Sequence, residues 1–284
     1  MGEPFAKRLD AITATRGKLC VGVDPHPASV AAWGLPDDIA GLEKFSRGLV
    51  AALADDVACF KPQSAFFEAF GPAGLTVLAA VLRDIADAGA ISILDVKRGD
   101  IGSTMDAYAR AYLADGAPLA ADAITVSPFQ GFGSLSPAID LAKATGRGVF
   151  VLARTSNTEG EAVQLAAAYD GPNQSSIDSP NVGSLIASQA ADANKAAGTP
   201  LVGLVIGATL NVLDINLQDF DGWVLAPGIG AQGGTMEHLR GLFAGHPDAW
   251  PRVLPTVSRS VADAGPDQVS LKKVAHSLLQ WPVF

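Results

Sequence analysis

The chain has 284 residues, 49% of them hydrophobic and 17% charged, with a formal net charge of −9. That composition supplies a large core and excludes wholesale disorder. The acidic balance offers no broad basic surface, which argues against nucleic acid or a membrane as partner.

No apolar run is long enough to span a bilayer, and the first eight residues lack a signal-peptide core, so the expected location is the cytoplasm. The two cysteines, Cys20 and Cys59, sit beside or inside apolar runs. They read as small buried hydrophobes in a reducing compartment, not as a disulfide. The four histidines, at positions 26, 238, 246 and 276, are dispersed, which argues against a transition-metal site. No metal is expected.

In chain order, an amphipathic helix is expected over residues 5–16, stopped by Gly17. Apolar strands follow at residues 19–24 and 57–62, separated by a helix over 39–54. Residues 65–88 are helix-rich with a break near Gly71-Pro72. A third strand begins at Ala90 and ends in Asp95 and Lys97, and a helix is expected over 105–113. Further strands are expected at 123–128, 148–154, 201–207, 223–227 and 252–257. Helices are expected near 138–144, 182–197 and 269–279.

Nearly all eight strand candidates are continuous apolar runs, as in a parallel sheet covered on both faces. They recur about every 30 residues, the spacing of βα units. Between the fifth and sixth the spacing is wider, which marks an inserted loop region at about 159–179, rich in Gly, Ser, Asn and Asp in its second half. Eight strands, each followed by a helix, give a single (β/α)8 TIM barrel over residues 1–284. A doubly wound open sheet is the alternative.

Asp24, Lys61, Asp95, Lys97, Ser127, Ser156 and Arg259 all fall at or just past a strand's C-terminal end. In a barrel those ends converge on one mouth, where barrel enzymes place their sites. Strands do turn polar as they reach solvent, and serine after a strand is ordinary turn chemistry. A lysine inside Phe60-Lys61-Pro62 and an Asp–Lys pair on one strand need more reason, because buried charges cost desolvation unless paired. Asp95 and Lys97 are two apart and so project to one side of an extended strand, while Asp100 lies on the turn beyond Gly99.

The run Pro227-Gly228-Ile229-Gly230-Ala231-Gln232-Gly233-Gly234 matches G-x-G-x-x-G. It follows the seventh strand instead of the first, and the strand after it ends in Ser258-Arg259 with no acid placed for the ribose of a dinucleotide, which argues against a dinucleotide fold. Loops after strands seven and eight of a barrel commonly bind phosphate. Gly228, Gly230, Gly233 and Gly234 would let backbone N–H groups approach an oxyanion, and Arg259 could grip it bidentately.

The pattern Asp95-x-Lys97-x-x-Asp100-Ile101-x-x-Thr104, with Asp24, Lys61 and the glycine-rich run, resembles the orotidine 5′-phosphate decarboxylase family. The segment Thr155-Ser156-Asn157-x-Glu159-Gly160 and the length are similar to its longer bacterial, mycobacterial-type branch. The resemblance implies a cofactor-free carboxy-lyase that converts orotidine 5′-phosphate to UMP. It implies that Lys97 stabilises and protonates the C6 carbanion, that Asp95 sits beside the departing carboxylate, and that Lys61 completes the charge network. Asp24 would take a ribose hydroxyl, Ser156 the pyrimidine, and Gly230, Gln232 and Arg259 the phosphate. Asp100, Ile101 and Thr104 would act across a homodimer interface. Sister sugar-phosphate enzymes share the Asp-x-Lys-x-x-Asp core but hold Mg²⁺ with a carboxylate on the second strand. Here that strand carries Lys61. A Mg²⁺-dependent lyase and a non-catalytic phosphate-binding barrel are the competing readings.

Overall fold

The computed structural model describes residues 2–169 and 179–280. Eight strands form where the apolar runs lie: β1 (Cys20–Val23), β2 (Cys59–Pro62), β3 (Ile91–Arg98), β4 (Ala123–Val126), β5 (Gly148–Arg154), β6 (Val202–Ile206), β7 (Val224–Ile229) and β8 (Val253–Val257). Each pairs in parallel with its neighbour in sequence, and β1 pairs with β8, so the sheet closes into a barrel in the order β1 to β8. Both faces of the strands are buried, which is why the runs are continuous and do not alternate. The fold is a (β/α)8 TIM barrel.

Two apolar layers follow from closure. Between sheet and helices pack Phe45, Leu49, Phe67, Leu78, Leu113 and many others. Inside and beneath the barrel a second cluster holds Cys20, Cys59, Ile93, Phe150, Trp223 and Leu254. The N-terminal helix Phe5–Arg16 plugs that lower end with Phe5 and Leu9. The Phe5 ring meets Phe150 edge-on at 5.9 Å. Both cysteines are buried and free.

Helix boundaries follow local chemistry. Asp38 caps Ile39–Leu53 through Gly41 N, and Asn181 caps Val182–Ala197 through Ser184 N. Gly198, left-handed at φ 71°, closes the latter. The break near Gly71-Pro72 separates helix Ser64–Glu68 from Gly71–Asp87.

Two expectations need correction. Among the described residues, no helix lies between β6 and β7, so not every strand is followed by one. Leu210, Ile215, Leu217 and Phe220 are buried there without helical spacing. Asn216 Oδ1 accepts from Gln218 N, a local bond that competes with a helix. Secondly, β3 does not stay extended past Asp95. Its register against β4 shifts between Leu94 and Arg98, and Lys97 takes φ 43°. Of the inserted region, turns at Thr158–Gly160 and Glu161–Gln164 and a bridge from Ala167 to Asn181 are seen, and residues 170–178 lie outside the described residues.

The lower plug gives a stability test. Phe5→Ala should cost about 3–5 kcal/mol through lost burial and a residual cavity. Urea unfolding with the slope held fixed reads this directly, and an unchanged midpoint would show that the helix does not seal the barrel.

Candidate active site

At the C-terminal mouth of the barrel the strand ends enclose a cavity of about 300 Å³ lined by Asp24, Lys61, Gln63, Asp95, Lys97, Thr125, Ser156 and Gln232, among others. A contiguous chamber of about 320 Å³ shares Asp24, Gln63, Gly228, Gln232 and Ser258 and adds His26, Phe66 and Arg259. A groove of about 450 Å³ lies elsewhere, between helix Val182–Ala197 and residues 216–220, and contains none of these charges.

Asp95 is the centre of the charged set. It is 6% exposed and accepts four hydrogen bonds. Lys97 Nζ at 2.6 Å and Thr125 Oγ1 at 2.7 Å donate to Oδ1. Lys61 Nζ and Gln63 Nε2, each at 3.0 Å, donate to Oδ2. Lys61 is 5% exposed and also faces Asp24 Oδ1 at 3.7 Å. The order of charges across the floor is therefore Asp24, Lys61, Asp95, Lys97.

Burial works against this ionisation but does not decide it. For Asp95 it pushes the pKa up, yet the charges of Lys61 and Lys97, with hydrogen bonds from Lys97 and Thr125, hold it well below the usual carboxylate range. For Lys61 burial pushes the pKa down, and the charges of Asp24 and Asp95 more than reverse that. Asp95 is thus a carboxylate and Lys61 an ammonium across the neutral range.

The kink in β3 aims Lys97. Its N–H donates to Thr125 Oγ1 at 3.0 Å, and Ser127 N donates to Arg98 O at 2.8 Å, so β4 stitches the distorted strand. Lys97 and Asp95 meet through this left-handed residue, not through the straight alternation expected of an extended strand. The Lys97 side chain is 46% exposed and reaches into the open cavity, whereas Lys61 lines its floor almost wholly buried.

The other expected residues divide. Asp24 and Ser156 line the cavity, and Asp24 Oδ1 is buried with no hydrogen-bond donor. Ser127 is not among the lining residues. Gln232 lines both chambers and Arg259 the second. Gly230 departs from expectation. Its N–H donates to Gly234 O at 2.8 Å, and the N–H groups of Gly233 and Gly234 also bond within the loop, so these three do not face an oxyanion. Gly230 instead shapes the turn at φ 82°, where an added Cβ would lie 2.4 Å from Ser260 Oγ. Asp100, Ile101 and Thr104 line neither chamber of their own chain. Asp100 Oδ1 accepts from Ile101 N at 2.8 Å, and Ile101 is 62% exposed.

Thr125 and Gln63 were not anticipated. The signal for Thr125 was present, a single hydroxyl inside the apolar run Ala123-Ile124-Thr125-Val126. Gln63 follows Lys61-Pro62 by simple adjacency and bridges to Asp95 across the β2–β3 seam. Among the described residues no group of three or more His, Cys, Asp or Glu side chains could hold a metal ion.

The chain is similar over nearly its whole length to known proteins. It is 49% identical to orotidine 5′-phosphate decarboxylase of Salinispora tropica, over 98% of this chain and 96% of that protein. It is 50% identical to the Streptomyces coelicolor protein of the same name, over 96% of this chain and 95% of that one. A crystal structure of a Streptomyces avermitilis protein, 48% identical, superposes with a TM-score of 0.90 over 98% of this chain and 94% of its own. The model of the orotidine 5′-phosphate decarboxylase / HUMPS family matches residues 17–274. This chain therefore belongs to the orotidine 5′-phosphate decarboxylase / HUMPS family.

Proposed function

We propose that this chain decarboxylates orotidine 5′-phosphate to UMP and CO2, the last step of de novo UMP synthesis, in the cytoplasm and without metal or cofactor. The observation that carries the reading is Asp95, held ionised between the ammonium groups of Lys61 and Lys97 on the floor of a cavity. The names of the relatives support the substrate.

In this reaction the C6–carboxylate bond breaks and its electron pair stays in an in-plane orbital at C6. The ring π-system cannot take that charge, so a fixed cation must stabilise it. Lys97 Nζ reaches the cavity and supplies the cation, then donates its proton to C6. CO2 leaves, and Lys97 regains a proton from water. Asp95 holds Lys97 in place and lies beside the departing carboxylate, whose charge it opposes. Lys61 keeps Asp95 ionised. Thr125 and Gln63 fix the carboxylate plane, so little reorganisation accompanies the reaction.

Asp24, with a buried oxygen lacking a donor, takes a ribose hydroxyl. Ser156 meets the pyrimidine at the other wall. Gln232 and Arg259 bind the phosphate in the adjoining chamber. Asp100, Ile101 and Thr104 complete the site of a second copy across a homodimer. Their exclusion from their own cavity and the exposure of Ile101 and Phe129 support this arrangement.

Purified protein treated with EDTA should still deplete the absorbance of orotidine 5′-phosphate. Lys97→Ala should lose more than about 1,000-fold in kcat, since it removes both the cation and the acid. An inactive wild type, or one restored only by Mg²⁺, would favour a sister lyase and sink the proposal. Mixing inactive Lys97→Ala and Asp100→Ala chains should regain about a quarter of the sites, because random dimers carry one intact site in every mixed pair. No recovery despite proven subunit exchange would refute the action of Asp100 in trans.

A further inference from the structure

Arg154, the last residue of β5, lies outside the cavity lining and yet binds the wall of it. Its side chain is only 3% exposed. Nε and Nη2 donate to the two carboxylate oxygens of Asp214 at 2.9 and 3.2 Å. Nη1 donates to Thr155 O at 2.9 Å and Gln164 Oε1 at 3.4 Å, and Nη2 to Glu161 Oε1 at 3.3 Å. A guanidinium has five N–H donors, and these contacts engage all of them.

The partners converge from separate parts of the chain. Thr155, Glu161 and Gln164 belong to the connection after β5, and Asp214 to the one after β6. The backbone carbonyl of Asp214 accepts from Asn181 Nδ2 at 2.6 Å, and Asn181 caps helix Val182–Ala197. Gln164 grips Thr155 a second time: its Oε1 accepts from Thr155 N at 2.9 Å, and its Nε2 donates to Thr155 Oγ1 at 2.8 Å. Thr155 is therefore held by N–H, carbonyl and hydroxyl together. Behind the next residue, Gly207 packs so closely that an added Cβ would lie 2.8 Å from Ser156.

We propose that Arg154 is a positioning residue that sets the placement of Ser156 against the base, using the extra chain between β5 and β6 as its buttress. This rests on the proposed function, in which Ser156 meets the pyrimidine. Without the guanidinium, the Thr155 carbonyl and the Asp214 carboxylate lose their shared partner, and the edge of the cavity no longer has one placement. Lysine cannot substitute, because one ammonium does not reproduce a planar fork with five donors.

The test is a double-variant cycle in kcat/KM. Arg154→Met should lose about 100-fold, the size expected for a misplaced contact, and Arg154→Lys should restore little of it. Asp214→Asn, which keeps shape but removes charge, should fall between. Adding Arg154→Met to Ser156→Ala should cost little beyond Ser156→Ala alone, because both act through one contact. Additive losses, or a lowered melting temperature with kcat/KM unchanged, would overturn the role. Should Arg154→Met fail to fold, Asp214→Asn with Ser156→Ala completes the same cycle. If the wild type itself is inactive, the proposed function falls and the clamp is read separately. Amide exchange at Ser156 and Asn157 should then quicken in Asp214→Asn, and unchanged exchange would refute it.

Discussion

The buried carboxylate of Asp95 is the constraint on which the mouth of the barrel depends. A carboxylate removed from water is costly unless attraction and hydrogen bonds replace its hydration. Here two ammonium groups, a hydroxyl and an amide do so, two on each oxygen. The donors come from β2, β3, β4 and the turn after β2, so the set exists only when the strands are in register. Fold and site are thus the same problem at this point. Removing any one member leaves the others desolvated and unmatched, which explains why so much charge can be kept in place inside a hydrophobic chain.

Register alone would not bring Lys97 to its position. From Leu94 to Arg98 β3 advances four residues while β4 advances only from Ile124 to Val126. The surplus bows the strand, and Lys97 absorbs it at φ 43°. A left-handed conformation at a residue other than glycine costs on the order of 1–3 kcal/mol, and the Lys97 N–H to Thr125 bond and the Lys97–Asp95 pair offset it. Thr125 therefore serves twice, since its hydroxyl accepts from the strained backbone and donates to the carboxylate. Bulges of this kind re-aim side chains next to active sites. The result is one lysine buried in the cavity floor and another projecting into the cavity.

The barrel was legible because burial on both faces leaves a direct trace, unbroken apolar strands at regular spacing. The charged residues stood out for the complementary reason, as costly exceptions in that trace. What stayed hidden depends on the backbone. The alternation rule that joined Asp95 to Lys97 assumes an extended strand, and the bulge gives the same meeting by another path. The glycine-rich run showed where a tight turn would form but not where its N–H groups point, and those of Gly230, Gly233 and Gly234 are consumed inside the loop. The stretch between β6 and β7 carries apolar residues enough for a helix, but Asn216 bonds the nearby Gln218 N and Asp214 pairs with Arg154 of β5. Arg154 gives no such signal, because apart from the adjacent Thr155 carbonyl its partners are side chains 7 to 60 positions away.

The two ends of the cavity differ in how they are held. The charged floor is set by the strands and tied by ladder bonds on both sides, while the exposed Gln232 sits on a turn and the exposed Arg259 opens a short helix after β8. The proposed cofactor-free decarboxylation would use this division. Charge stabilisation depends on dipoles and ions fixed before the electrons move, which favours the rigid end. Binding energy from the non-reacting phosphate is most useful where closing a loop around it can exclude water and orient the base. The wall carrying Ser156 lies between these ends and is neither strand nor free turn. Its order has to come from side chains, and a buried arginine with every donor engaged provides it.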